Sequence, residues 1–244
     1  MHKMRLRNIK GSREKIAASK YIISDGRGER TSFNERTEAS VKGRWNEVFG
    51  NANPIYIEIG MGKGAFIMEQ ARLNPDINFV GIEKFSSVLL RAVQKQDEEN
   101  LPNVRFMRTE AEIIEDIFAP GEVDKIYLNF SDPWPKASQA QRRLPSSRFL
   151  GRYQKILKDK GLIEFKTDNK ELFDFALEEI PIANEKAALS CQGNCCRETW
   201  HLLAKTYDLS GDPLLSKGNV MTEYETRFSA QGKPICKYIL ELNL

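Results

Sequence analysis

NFSDPWPK, residues 129–136, closes an apolar run made of Val123, Ile126, Tyr127 and Leu128. An apolar run of strand length that stops at a carboxylate, two prolines and a tryptophan reads as a buried strand carrying polar groups at its carboxyl end. In an open α/β sheet that end is where ligands sit. Pro133 and Pro135 steer Asp132 and Trp134 away from helical geometry, which predicts a stiff, extended segment. The plainer reading is a tight turn in which Trp134 packs into the core and Asp132 caps the next segment. The octapeptide alone leaves both readings open.

Working outward, short β-branched runs alternate with helical spacing. Strands are expected at Ile55–Ile59, Asn78–Glu83, Asn103–Met107, Val123–Phe130 and Leu162–Thr167. Helical periodicity falls at 65–73, 88–93, 110–118, 149–157 (ended by Lys160-Gly161) and 172–180, before Pro181. This alternation predicts βαβ units, hence a mostly parallel sheet with helices on both faces. After Pro181 the pattern changes. Thr199–Leu209 and Ile235–Leu242 read as strands with a short Thr222–Phe228 helix between them, so these last strands are expected to pair antiparallel at one edge.

Between the first strand and its helix lies Glu58-Ile-Gly60-Met-Gly62-Lys-Gly64. Glycines there let the backbone approach a ligand closely and open a helix whose N-terminus carries partial positive charge. Gly60, Gly62 and Ala65, with Glu83 about twenty residues on, satisfy the looser dinucleotide pattern, so spacing alone permits a nicotinamide cofactor. Lys63 is followed by glycine, which excludes a P-loop. Glu58 tilts the choice to S-adenosylmethionine, since a carboxylate repels a pyrophosphate but holds an ammonium. Glu83 then suits ribose hydroxyls, and Glu110 can accept from an adenine amino group.

Basic residues crowd the stretch after the fourth strand: Lys136, Arg142, Arg143, Arg148 and Arg152. Flanking Trp134, they suit phosphates and a stacked base. Asp168 and Glu225 are further acids able to face the same cleft, a lining better suited to guanine's donor edge than to an anion. A solvated loop and helix face is the competing reading of these charges.

The chain has 244 residues and a net charge of +3, unevenly distributed. Residues 1–45 hold twelve Lys/Arg against five Asp/Glu, while the remainder holds 25 against 29. A basic arm, partly disordered over 1–41, is therefore expected ahead of a single domain at 42–244, its charge suited to a phosphate-rich partner. No apolar stretch is long enough for a membrane span and the N-terminus lacks a secretory h-region, so a cytoplasmic protein with no membrane partner is expected. Cys191, Cys195, Cys196 and Cys236 lack Cys-x2-Cys spacing and are read as thiols, with no metal assigned.

IYIEIGMGKG (55–64), GIEK (81–84), YLNFSDPWPK (127–136), RRL (142–144), FKTDN (165–169) and NVMTEYE (219–225) occur in that order. In these motifs the chain resembles the bacterial tRNA (guanine-N7-)-methyltransferases over essentially its whole length. The resemblance implies a class I methyltransferase (Rossmann-like) α/β sheet with an antiparallel C-terminal edge. It implies methyl transfer from S-adenosylmethionine to N7 of guanine, at position 46 in the variable loop of tRNA, by a monomer or homodimer. Carried over position by position, it makes Glu58, Glu83, Glu110 and Asp132 cofactor contacts, beside Gly60 and Gly62 of the glycine loop, and Asp132 the catalytic residue. Lys136, Asp168, Thr222, Glu223, Tyr224 and Glu225 become the tRNA contacts. Family members often carry Asp where Glu110 stands, and the 191–196 cysteines inherit no family role.

Overall fold

The computed structural model describes residues 9–24, 41–190 and 199–244. Five parallel strands form its centre: β1 (Ile55–Ile59), β2 (Asn78–Ile82), β3 (Val104–Met107), β4 (Val123–Asn129) and β5 (Leu157–Thr167). Two more, β6 (Thr199–Thr206) and β7 (Cys236–Asn243), follow antiparallel, giving the order β3-β2-β1-β4-β5-β7-β6. The β-branched runs of β1, β2 and β4 are buried because helices cover both faces. The strand order reverses between β1 and β4, and the carboxyl ends of those strands open the cleft there.

The helices are α1 (Ser12–Ala17), α2 (Trp45–Phe49), α3 (Ala65–Leu73), α4 (Ser86–Glu99), α5 (Ile114–Ile117), α6 (Ser147–Tyr153), α7 (Lys170–Ser190) and α8 (Glu223–Ser229). One core cluster joins Trp45, Ile57, Phe118, Leu128, Phe165, Phe173 and Tyr238. A second joins Ile16, Tyr21, Phe66, Phe79, Leu89, Phe106 and Tyr127. The pyrrole N–H of buried Trp45 donates to the Ile117 carbonyl at 3.2 Å while its ring stacks on Phe118.

Three expectations are corrected. Residues 9–24 are a packed part of the body, so the arm expected through residue 41 does not hold for this segment. Ile16 and Tyr21 are buried, the Ile9 N–H donates to Ser87 Oγ at 2.9 Å, and residues 21–23 pair alongside Phe106 on edge strand β3. A covered edge no longer offers its backbone to another chain. The rest of the expected arm, residues 1–8 and 25–40, lies outside the described residues, as do Cys191, Cys195 and Cys196.

The helix expected at 149–157 stops at Tyr153, and β5 begins at Leu157, opposite Val123. Apolar residues at 149, 150, 153, 156 and 157 suit either structure, and pairing with β4 decides. Finally, α7 runs through Pro181 to Ser190. That proline lies on the exposed face, and Ile180 and Ala183 bury on the other, offsetting a penalty of about 3 kcal/mol for the lost hydrogen bond and ring clash.

Candidate active site

Glu58, the penultimate residue of β1, is almost completely buried, at 2% exposure. Asn129 Nδ2, from the end of β4, donates to its Oε1 at 2.9 Å, and its Oε2 is buried with no hydrogen-bond partner. Burial pushes the Glu58 carboxyl up to about 7, against the opposing effects of the Asn129 bond and the Lys166 charge. A carboxylate oxygen left bare in the interior costs free energy until a cation or donor reaches it. The ammonium of an amino-acid-bearing cofactor is such a group.

Beside it, Gly60, Gly62 and Gly64 all hold positive φ (79°, 61° and 75°). Gly64 is packed, since a Cβ there would stand 2.9 Å from the Ala92 Cβ, whereas a Cβ on Gly60 or Gly62 would meet nothing within 4 Å. The last glycine therefore seats α3 against α4, and the first two leave open space for a ligand. Glu83, after β2, braces this loop by accepting from Gly62 N–H at 3.2 Å and from Phe85 N–H at 2.9 Å. Burial also raises its carboxyl above the usual value, opposed by those two bonds. Glu110 lies exposed beyond β3.

The 129–136 loop departs from the extended course expected. Phe130 and Trp134 take positive φ, 49° and 42°. For aromatic residues such backbone costs on the order of 1–3 kcal/mol and persists only where surroundings hold it. Arg143 supplies the hold. Its Nε donates to the Pro133 carbonyl at 2.9 Å, its Nη2 to the Trp134 carbonyl at 3.0 Å, and its guanidinium lies 4.3 Å from the Phe175 ring centre. Asp132 is half-buried at the crest, and Arg142 sits over the Trp134 ring at 5.2 Å. Of the basic residues expected to meet phosphate, Arg143 is thus a brace and Arg152 is paired with Glu115 at 2.9 Å, while Lys136, Arg142 and Arg148 are exposed.

The segment 219–225 lies against the carboxyl ends of β4 and β5, through Phe130 and Lys166. Thr222 caps α8 in a capping box with Glu225, each side chain bonded to the other's backbone N–H. Glu225 does not face the cleft with free lone pairs: Asn219 Nδ2 donates to its Oε1 at 2.5 Å, and Lys166 Nζ to its Oε2 at 2.7 Å. It anchors the segment. Glu223 reaches Lys63 of the glycine loop at 2.9 Å, tying the segment to the cofactor side. Tyr224 is exposed and stacked on Phe130, ring centres 6.2 Å apart.

Glu58, Glu83, the glycine loop and the 222–225 segment are therefore brought together by direct bonds or charge. Glu110, Lys136 and Asp168 sit at strand ends or on loops, and among the described residues no side-chain hydrogen bond ties them to this network. Asn129, Lys63, Arg143 and Lys166 were not singled out for the roles they hold. Glu164 and Lys166 alternate in a buried strand, which marks a polar sheet face and would have flagged the lysine. Nothing local flags Arg143, whose partners are backbone carbonyls. Buried Cys236, its thiol pushed up to about 11 by burial, plays no part in the cleft. Among the described residues no helix is long and apolar enough to cross a membrane.

A reversed parallel sheet, a glycine loop with open space above it and a buried carboxylate with one bare oxygen define a class I S-adenosylmethionine-dependent methyltransferase. The family model described as "Putative methyltransferase" matches residues 52–238. A tRNA (guanine-N(7)-)-methyltransferase of Lachnoclostridium phytofermentans is 50% identical over 236 residues, 97% of each chain. One of Bacillus subtilis is 45% identical over 203 residues, 83% of this chain and 87% of the relative. This chain belongs to the bacterial tRNA (guanine-N7-)-methyltransferase family. Among solved structures, the 16S rRNA methyltransferase KamB superposes with a TM-score of 0.61 at 14% identity, over 91% of this chain and 99% of the other, a likeness of fold alone.

Proposed function

We propose that this chain transfers the methyl group of S-adenosylmethionine to N7 of a guanine in the variable loop of tRNA, with Asp132 positioning the base. The observation that carries the reading is Glu58: a buried carboxylate with one bare oxygen beside a glycine loop open to a ligand. Glu58 would hold the cofactor's ammonium, Glu83 its ribose hydroxyls and Glu110 its adenine amino group. When bound, the cofactor supplies a methyl group on a sulfonium sulfur.

Guanine N7 carries an in-plane lone pair, so no proton has to leave before it attacks. The chain's task is to place N7 and to exclude water, and positioning of this kind is worth on the order of 7–11 kcal/mol. Methylation leaves the purine cationic, and the Asp132 carboxylate, held at the crest of the braced 130–134 loop, stabilises that developing charge. Tyr224, stacked on Phe130, offers a ring face to the base, while Thr222, whose hydroxyl caps α8, and Glu223 would flank it. Lys136 and Asp168 would contact the tRNA from the two neighbouring strand ends. The enzyme would work in the cytoplasm as a monomer or homodimer.

The test is methyl transfer to unmodified tRNA from labelled cofactor, followed by nucleoside analysis for N7-methylguanosine. Label in any other nucleoside would overturn the base assignment. Calorimetry with S-adenosylhomocysteine and with NAD(P)H, run side by side, separates the methyl-transfer reading from a nicotinamide site.

A further inference from the structure

Lys166 lies in the middle of the polar face of the sheet with its side chain wholly buried, at 0% exposure. Its three ammonium donors reach Asn219 Oδ1 at 3.1 Å, the Val220 carbonyl at 2.9 Å and Glu225 Oε2 at 2.7 Å, all within the 219–225 segment. On its other side, Lys166 is the β5 register partner of Asn129 in β4, and Asn129 donates to Glu58 at the end of β1. Three adjacent strands thus carry a row, Glu58, Asn129 and Lys166, that leads from the cofactor carboxylate to the guanine-side segment.

We propose that Lys166 is a positioning residue that couples the two halves of the active site, docking the 219–225 segment through Glu225 while its charge keeps Glu58 ready to receive the cofactor's ammonium. The proposal rests on the reading above, in which Glu58 meets the cofactor and 222–225 meets the tRNA. Burying an ammonium is costly, and one retained without contact to the bulk solvent needs compensation from each group around it. Glu225 supplies most of it: burial lowers the Lys166 ammonium from its usual value, and the Glu225 charge and hydrogen bond oppose that shift. What remains of the field reaches Glu58, whose surroundings are Asn129 from β4, Lys166 from β5, the Ile67 N–H from α3 and the like charge of Glu83 after β2. Lys166 is the cation among them.

A lysine that only stapled a loop would leave Glu58 untouched, and this separates the two roles. S-adenosylhomocysteine binding is measured by calorimetry between pH 6 and 8.5 on the full chain. In the unaltered protein, affinity is expected to rise as Glu58 loses its proton, and Glu58→Gln should abolish that rise. If Glu58→Gln changes nothing, the cofactor reading itself fails. In Lys166→Met, the midpoint of the rise should move up by about one pH unit, giving roughly fivefold weaker binding at pH 7, and KM for tRNA should increase. Lys166→Arg, which retains the charge, should restore the midpoint.

Because Lys166→Met strands the buried Glu225 carboxylate, the same titration is run on Lys166→Met/Glu225→Gln, in which both charges are gone. Its thermal melt establishes the fold. A folded double variant with an upward-shifted midpoint supports the coupling. A folded double variant with the original midpoint overturns it and reduces Lys166 to a staple.

Discussion

Asn129 Nδ2 donates to Glu58 Oε1 across 2.9 Å, and the second oxygen of that carboxylate is buried and makes no hydrogen bond. The chain thus folds around a half-satisfied acid, held in place by one bond and left open on one side. That arrangement trades stability of the cofactor-free protein for affinity.

The trade has a sign. The Glu58 carboxyl, at about 7, lies above its ordinary value of 4.5, so between those limits the folded chain holds a proton that the unfolded chain has lost. Stability from this group is full below the lower value and falls as pH rises to the upper one, by up to about 3 kcal/mol. Glu58→Gln should remove this decline, so that its melting temperature exceeds that of the unaltered chain at pH 7.5 more than at pH 5, without cofactor. Parallel pH slopes for the two proteins would refute the assignment.

Asp132→Asn keeps the shape of the 130–134 loop and removes the charge. Methyl transfer should slow by about two orders of magnitude or more, the scale set by loss of a charge-stabilising group, with S-adenosylhomocysteine still bound measurably. Turnover near that of the unaltered chain would remove Asp132 from the mechanism.

Arg143 acts at one remove, through two carbonyls of a strained loop. Replacing it by methionine lets Pro133 and Trp134 relax, and misplacement by about 1 Å is worth on the order of 100-fold in rate. The expected pattern is a lower kcat with little change in S-adenosylhomocysteine affinity, read by steady-state kinetics and calorimetry. Equal losses in both would point instead to general loosening of the cleft.

The N-terminal segment is tested by stability. Ile16 is buried against the α4 side of the sheet, so Ile16→Ala should cost about 2–5 kcal/mol in urea unfolding. Cost within error of zero would return residues 9–24 to the status of a tail.

Glu164 bridges Lys125 at 2.9 Å and Lys237 at 2.8 Å on the same polar sheet face as Lys166. Burial alone would raise its carboxyl, but the two lysines carry it below the usual value. Its contribution is therefore present above pH 4.5 and lost as pH falls through the depressed folded value. Glu164→Gln leaves the buried Lys237 ammonium and the half-buried Lys125 ammonium without their shared counter-ion and should destabilise by about 3 kcal/mol at neutral pH, with a smaller difference in acid. Equal differences at both would show that the triad is screened.

The order of strands and helices from β1 onward, the glycine loop and the motifs at 129–136 and 219–225 were legible in the sequence, because period, turn chemistry and residue type are local properties, whereas the short helices α1 and α2 were not. The family followed from the same motifs in the same order. Three features were decided only by tertiary structure. Pairing of Leu157 with Val123 ended α6 early, since apolar spacing there suits helix and strand equally. Docking on α4 and β3 drew residues 9–24 into the body, although their net basic character had marked them as a tail. A partner 59 residues away turned Glu225 from an acid expected to face the cleft into the counter-ion of Lys166. A charged side chain's role depends on what is buried beside it, and that is fixed by contacts between segments distant in the chain.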